Sequence, residues 1–134
     1  MNKKIGSCIL LLSTIFIVFY LATQAPQDTM RLSETVRMWA VKIGYRGGAL
    51  KFRSDIHVIE YLFVGLISVV FARGMKWKAW GGALIAFGVG LIEECVKIFL
   101  PTREFGTVDL LKDVIGIVLG MCLVVVVEKL IKRN

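Results

Sequence analysis

The stretch from Glu93 to Asp113 crowds eight formally charged side chains into 21 residues: Glu93, Glu94, Lys97, Arg103, Glu104, Asp109, Lys112 and Asp113. Uncharged apolar runs flank it, 81–92 before and 114–127 after. Charges between two membrane-length helices are costly to bring into lipid, so this cluster is a candidate functional site. Its residue types define the chemistry open to it. Glu94 and Asp109 are candidate acids or bases, joined from upstream by Glu60 and by His57, the chain's one histidine. Arg103 can hold a phosphate or carboxylate through its guanidinium fork, and Lys97 can add a point charge. Tyr61 and Asp113 complete the substrate-binding set. Carboxylates with one His can also hold a divalent cation, but no metal-ligand spacing of the stronger kind occurs, and no cofactor is expected.

The spacings put these groups on shared helix faces. His57, Glu60 and Tyr61 stand at i, i+3 and i+4. Glu93 and Lys97 are an i, i+4 pair, and Glu94 and Lys97 an i, i+3 pair. Asp109, Asp113, Gly116 and Gly120 form one stripe whose Gly-x-x-x-Gly part permits close helix contact in lipid.

The elements that must position them are membrane spans. Hydrophobic residues make up 57% of the chain, above the roughly 45–50% of a soluble domain. Its mean hydropathy is +0.74. The expected fold is an all-α membrane protein, one domain over residues 1–134. It is a compact bundle of four transmembrane helices near 5–25, 56–73, 80–100 and 108–130. The first run is longer than a signal-peptide core and lacks a good cleavage site, so it reads as a retained span.

Between the first two spans, Ser33 is placed to cap a helix through Glu34, Val36, Trp39, Ala40 and Ile43 that Gly44 ends. Such an amphipathic segment would lie in the membrane interface; the alternative is a solvated loop. The uncharged parts of the last three spans, 61–72, 79–92 and 114–127, reach only roughly 18–21 Å against a hydrocarbon layer of about 30 Å. Each helix must therefore carry a charged end into the membrane. Connectivity places those ends on one side.

A formal charge of +7 raises nucleic acid as a partner, but the cations flank apolar runs, the pattern of topology control and lipid contact. No nucleic acid partner is expected; membrane lipids are. Lys97 aside, eight cations fall on each side of the four-span topology, and the crowding of the inner set against span ends favours cytoplasmic termini with the charged site outside. The three cysteines, Cys8, Cys95 and Cys122, lie within predicted spans and read as small buried hydrophobes rather than disulfide partners.

Taken together, Arg53-Ser-Asp-Ile-His57-Val-Ile-Glu60-Tyr61, Glu93-Glu94, Pro101-x-Arg103 and Asp109-x-x-x-Asp113-x-x-Gly116-x-x-x-Gly120 resemble the VanZ-like membrane proteins. The resemblance covers about residues 53–120. Ser54, Glu93, Lys97 and Thr102 depart from the family's usual Lys, Asp, Gln and Gly. Lys97 adds a cation able to neutralise Glu93 or Glu94. The resemblance implies a bacterial cytoplasmic-membrane protein and a link to low-level resistance to teicoplanin, a cell-wall-directed glycopeptide.

Three functions fit this reading. The first is a polar intramembrane site that binds or modifies an amphiphile, such as a lipid-linked cell-wall precursor or a lipoglycopeptide. The second is a structural salt-bridge network pinning short helices together. The third is a small transporter or membrane partner subunit, for which no internal repeat is apparent.

Overall fold

A long apolar run in hydrocarbon must pair its own backbone polar groups, and the helix does so locally. The computed structural model describes residues 3–23, 26–100 and 106–133, and all regular structure among them is helical. The helices are α1 (Lys3–Thr23), α2 (Pro26–Lys42), α3 (Ala49–Gly74), α4 (Ala79–Ile98) and α5 (Thr107–Arg133). Four contain stretches long and apolar enough to cross a membrane: Lys4–Thr23, Asp55–Gly74, Ala79–Ile98 and Thr107–Arg133. No more than 33% of the most apolar window of any of them is buried in the bundle. The remaining apolar surface, with Phe16 and Leu119 among its exposed side chains, faces outward.

That ratio corrects the expectation for the cysteines. Cys8, Cys95 and Cys122 are free and all exposed on the bundle surface. In so small a bundle most positions of a span have no helix to pack against.

Local signals account for the helix ends. Pro26 opens α2 at the position where its missing N–H costs no hydrogen bond. Ser33 is therefore inside α2 and not its cap, another correction. Gly44, at φ +104°, closes α2, with Gly44 N–H donating to Val41 O and Tyr45 N–H to Ala40 O. The same pattern closes α3 at Lys76, a non-glycine residue at φ +64°. There Lys76 N–H donates to Arg73 O and Trp77 N–H to Ala72 O.

α3 is the central element, packed against each of the other four. Tyr61 and Val64 of α3 form a core with Val18 of α1, Ala86 and Val89 of α4, and Ile117 of α5. Glycines set how closely the helices approach. A Cβ at Gly116 would strike the Val58 carbonyl and lie 2.9 Å from Leu62 N. One at Gly120 would strike the Leu62 carbonyl and lie 2.7 Å from Leu66 N. From α4, a Cβ at Gly82 would come within 2.6 Å of Ser68 O. The backbones are in direct contact, as small residues in spans permit.

The bundle has two distinct ends. At one, Arg73 near the end of α3 pairs with Glu128 of α5 at 3.0 Å. Gly74 there approaches Ser7 near the start of α1. The other end carries the charged residues expected to form a site.

Candidate functional site

The site begins with one helix face. Gly82, Ala86, Val89, Gly90, Glu93, Glu94 and Lys97 are the buried positions of α4, spaced for a single stripe. Its lower part is small and apolar, which lets α3 approach, and its last turns are charged. Lys97 also falls in the final turn of α4, where the helix dipole favours a cation.

Lys97 Nζ lies 3.1 Å from Glu93 Oε1 and donates a hydrogen bond to Glu94 Oε1. All three residues are buried, Glu94 completely. One ammonium thus faces two carboxylates, and further donors complete the arrangement. The Tyr61 hydroxyl of α3 donates to Glu93 Oε2. The Gly106 backbone N–H, just before α5, donates to Glu94 Oε2 at 3.0 Å. Buried carboxylates require such partners, because desolvation removes the water that would otherwise bind them.

Beside this network lies a second pair. His57 Nδ1 of α3 is 3.7 Å from Asp113 Oδ1 of α5. Asp113 is 1% exposed, and neither of its carboxylate oxygens has a hydrogen-bond partner among the described residues. The close approach at Gly116 delivers Asp113 to this depth one turn earlier on the same α5 face.

A pocket of about 250 Å³ adjoins both groups. His57, Glu60 and Glu93 line it on one side. Its apolar wall comes from Leu21 and Ala22 of α1, Leu32 and Val36 of α2, and Ile56 and Ile59 of α3, with Ser33 adding a hydroxyl. Glu60 makes no hydrogen bond or ion pair to another described residue.

The structure therefore gathers His57, Glu60, Tyr61, Glu94, Lys97 and Asp113 at one end of the bundle, together with Glu93. It leaves Asp109 out of the buried network. That carboxylate, in the first turn of α5, is 40% exposed and faces Lys112 at 3.9 Å. The spacing from Asp109 to Asp113 is right, but the helix emerges from its neighbours within that turn. Arg103 lies outside the described residues. Among the described residues no group of three His, Cys, Asp or Glu side chains is arranged to hold a metal ion.

Sequence reading missed the pocket wall from α1 and α2. The i, i+4 pair Leu32 and Val36 was the available signal, hidden by starting the helix at Ser33. Outside the spans, α2 carries an ion pair in which Arg37 Nε donates to Glu34 Oε2 at 2.8 Å. The hydrogen bond from Arg37 holds the Glu34 carboxyl below its usual range. Tyr45, after α2, donates its hydroxyl to Asp55 of α3 at 2.9 Å. Desolvation, then that hydrogen bond, raises the Tyr45 phenol above its ordinary value.

Compared with protein-family models, with curated proteins and with solved structures, the chain matches none.

Proposed function

We propose that this protein binds or modifies an amphiphile of the bacterial cell envelope at a polar site within the cytoplasmic membrane. The amphiphile is a lipid-linked cell-wall precursor or a lipoglycopeptide, and the outcome is low-level teicoplanin resistance. The observation that carries this reading is the pocket, with Leu21, Leu32, Val36 and Ile59 on one wall and His57, Glu60 and Glu93 on another. Ligand pockets commonly combine an apolar lining with a few convergent polar groups. A soluble metabolite would not need the apolar wall, and a plain acyl chain would not need the charges.

In this reading His57 is the acid or base. Its Nδ1 faces Asp113 Oδ1 at 3.7 Å, which leaves Nε2 for a molecule in the pocket. Tyr61, Glu94 and Lys97 hold the polar wall in place. α2 lies in the membrane interface. Trp39 on it and Ile43 just after it are exposed, and Lys42 stands over the Trp39 ring at 4.8 Å, a pairing suited to headgroup depth. The termini are cytoplasmic and the site faces outward. A reporter fused after Lys78 is then active only in the cytoplasm.

A second reading has its own support. Lys97 between Glu93 and Glu94 would pin α4 to the bundle even with no ligand, so the cluster would be structural in a non-catalytic membrane partner. His57→Gln, Glu94→Gln and Arg103→Lys, each scored for membrane accumulation and teicoplanin susceptibility, separate the two. Normal accumulation with a lost phenotype supports the site. Lost accumulation supports the structural role, and an intact phenotype in all three removes the amphiphile reading.

A further inference from the structure

We infer that the pocket selects an amphiphile whose head bears a cationic amine. This rests on the amphiphile reading above and adds the sign of the headgroup. Two carboxylates, Glu60 and Glu93, line the pocket, and its described lining contains no Lys or Arg. Lys97, the described cation beside Glu93, is already engaged by Glu93 and Glu94. Glu93 also receives the Tyr61 hydroxyl, so its charge is answered from within the bundle. Among the described residues, Glu60 is not answered. It has no ion pair or hydrogen bond to another described residue, and it stands among Leu21, Leu32 and Ile59.

A carboxylate against an apolar wall is costly without a partner. An ammonium group entering between Glu60 and Glu93 would supply one, through charge-assisted hydrogen bonds of the stronger class. The alkyl part would then lie along the wall formed by α1 and α2. A phosphate or sulfate head in the same place would meet two carboxylates. Like charges that close repel, and more strongly the less water lies between them. The pocket therefore discriminates by sign before it discriminates by shape.

The test uses the full chain in a non-ionic detergent at neutral pH and three probes with the same tail: dodecylamine, dodecyl phosphate and dodecanol. Binding is measured by titration calorimetry. Dodecylamine is expected to bind at least about tenfold more tightly than either other probe, in line with one charge-assisted contact. Glu60→Gln is expected to remove about tenfold of the dodecylamine affinity and to leave dodecanol unchanged. Glu128→Gln, at the opposite end of the bundle, controls for micelle charge and should change neither. Equal or tighter binding of dodecyl phosphate overturns the headgroup assignment while the amphiphile reading stands. So does an unchanged dodecylamine affinity in a folded Glu60→Gln protein. If Glu60→Gln does not fold, the three probes on the unaltered chain still decide. Saturable binding of none of them overturns the amphiphile reading itself.

Discussion

His57 of α3 turns Nδ1 toward Asp113 Oδ1 of α5 across 3.7 Å, deep between two helices whose backbones touch one turn away at Gly116. At that separation the two do not form an ordinary hydrogen bond, and the Asp113 oxygens find no other partner among the described residues. Asp113→Asn removes a carboxylate that is 1% exposed and keeps its shape. Unfolding in detergent is expected to show stability unchanged or raised by on the order of 1 kcal/mol, since a neutral amide costs less to bury. If the proposed function holds, any effect on teicoplanin susceptibility should fall, because His57 loses the carboxylate that faces it. A loss of several kcal/mol would instead mark Asp113 as part of the structural network.

Lys97 should behave in the opposite way. Lys97→Met leaves Glu93 and Glu94 buried together without their cation, and breaking a buried pair from one side costs about 3–5 kcal/mol. The double change Lys97→Met with Glu94→Gln is expected to recover part of that loss. Chemical unfolding of the three proteins in detergent measures both terms, and an undiminished single variant would show that the ammonium is not holding the cluster.

Close helix contact makes a separate claim. Gly120→Ala would put its Cβ against the Leu62 carbonyl and 2.7 Å from Leu66 N. Backbone cannot rotate away as a side chain can, so overpacking of about 1–3 kcal/mol is expected. Gly88, also within a span, has nothing within 4 Å of the corresponding position. Gly88→Ala should be neutral or stabilising by up to about 1 kcal/mol from helix propensity alone. Comparable gains from both would mean that propensity, and not α3–α5 contact, governs the glycines.

The Tyr45 to Asp55 tie links the end of α2 to the start of the second span, and it carries a pH dependence. Desolvation and the hydrogen bond to Asp55 favour the protonated phenol, so its folded-state pKa stands above the unfolded value of about 10. For a raised pKa the associated stability is fully present below that unfolded value. It is lost as pH rises through the folded one. Absorbance near 295 nm should show a late-titrating phenol component that Tyr45→Phe removes.

Much of this architecture was legible without coordinates. Helices able to span a membrane follow from apolar runs too long for a strand and nearly free of charge, which depend only on local composition. Pairing of Lys97 with Glu93 and Glu94 follows from i, i+3 and i+4 spacing, because neighbours on one helix meet whatever the rest of the chain does. The stripe Asp113, Gly116, Gly120 was readable for the same reason, and all three are buried on α5.

What the chain order could not decide is which helix faces meet. Tyr61 reaches Glu93 across 32 residues because Gly90 leaves room for its ring, with Cε1 only 3.0 Å from where a Cβ would stand. Asp109 shares a spacing with Asp113 but not its burial, since helix periodicity fixes a direction and says nothing of where a neighbouring helix ends. Pocket walls from α1 and α2 depend on how two distant segments fold back on α3. Local sequence settles helices and the pairs within them; only packing between helices chooses which of their charges share a site.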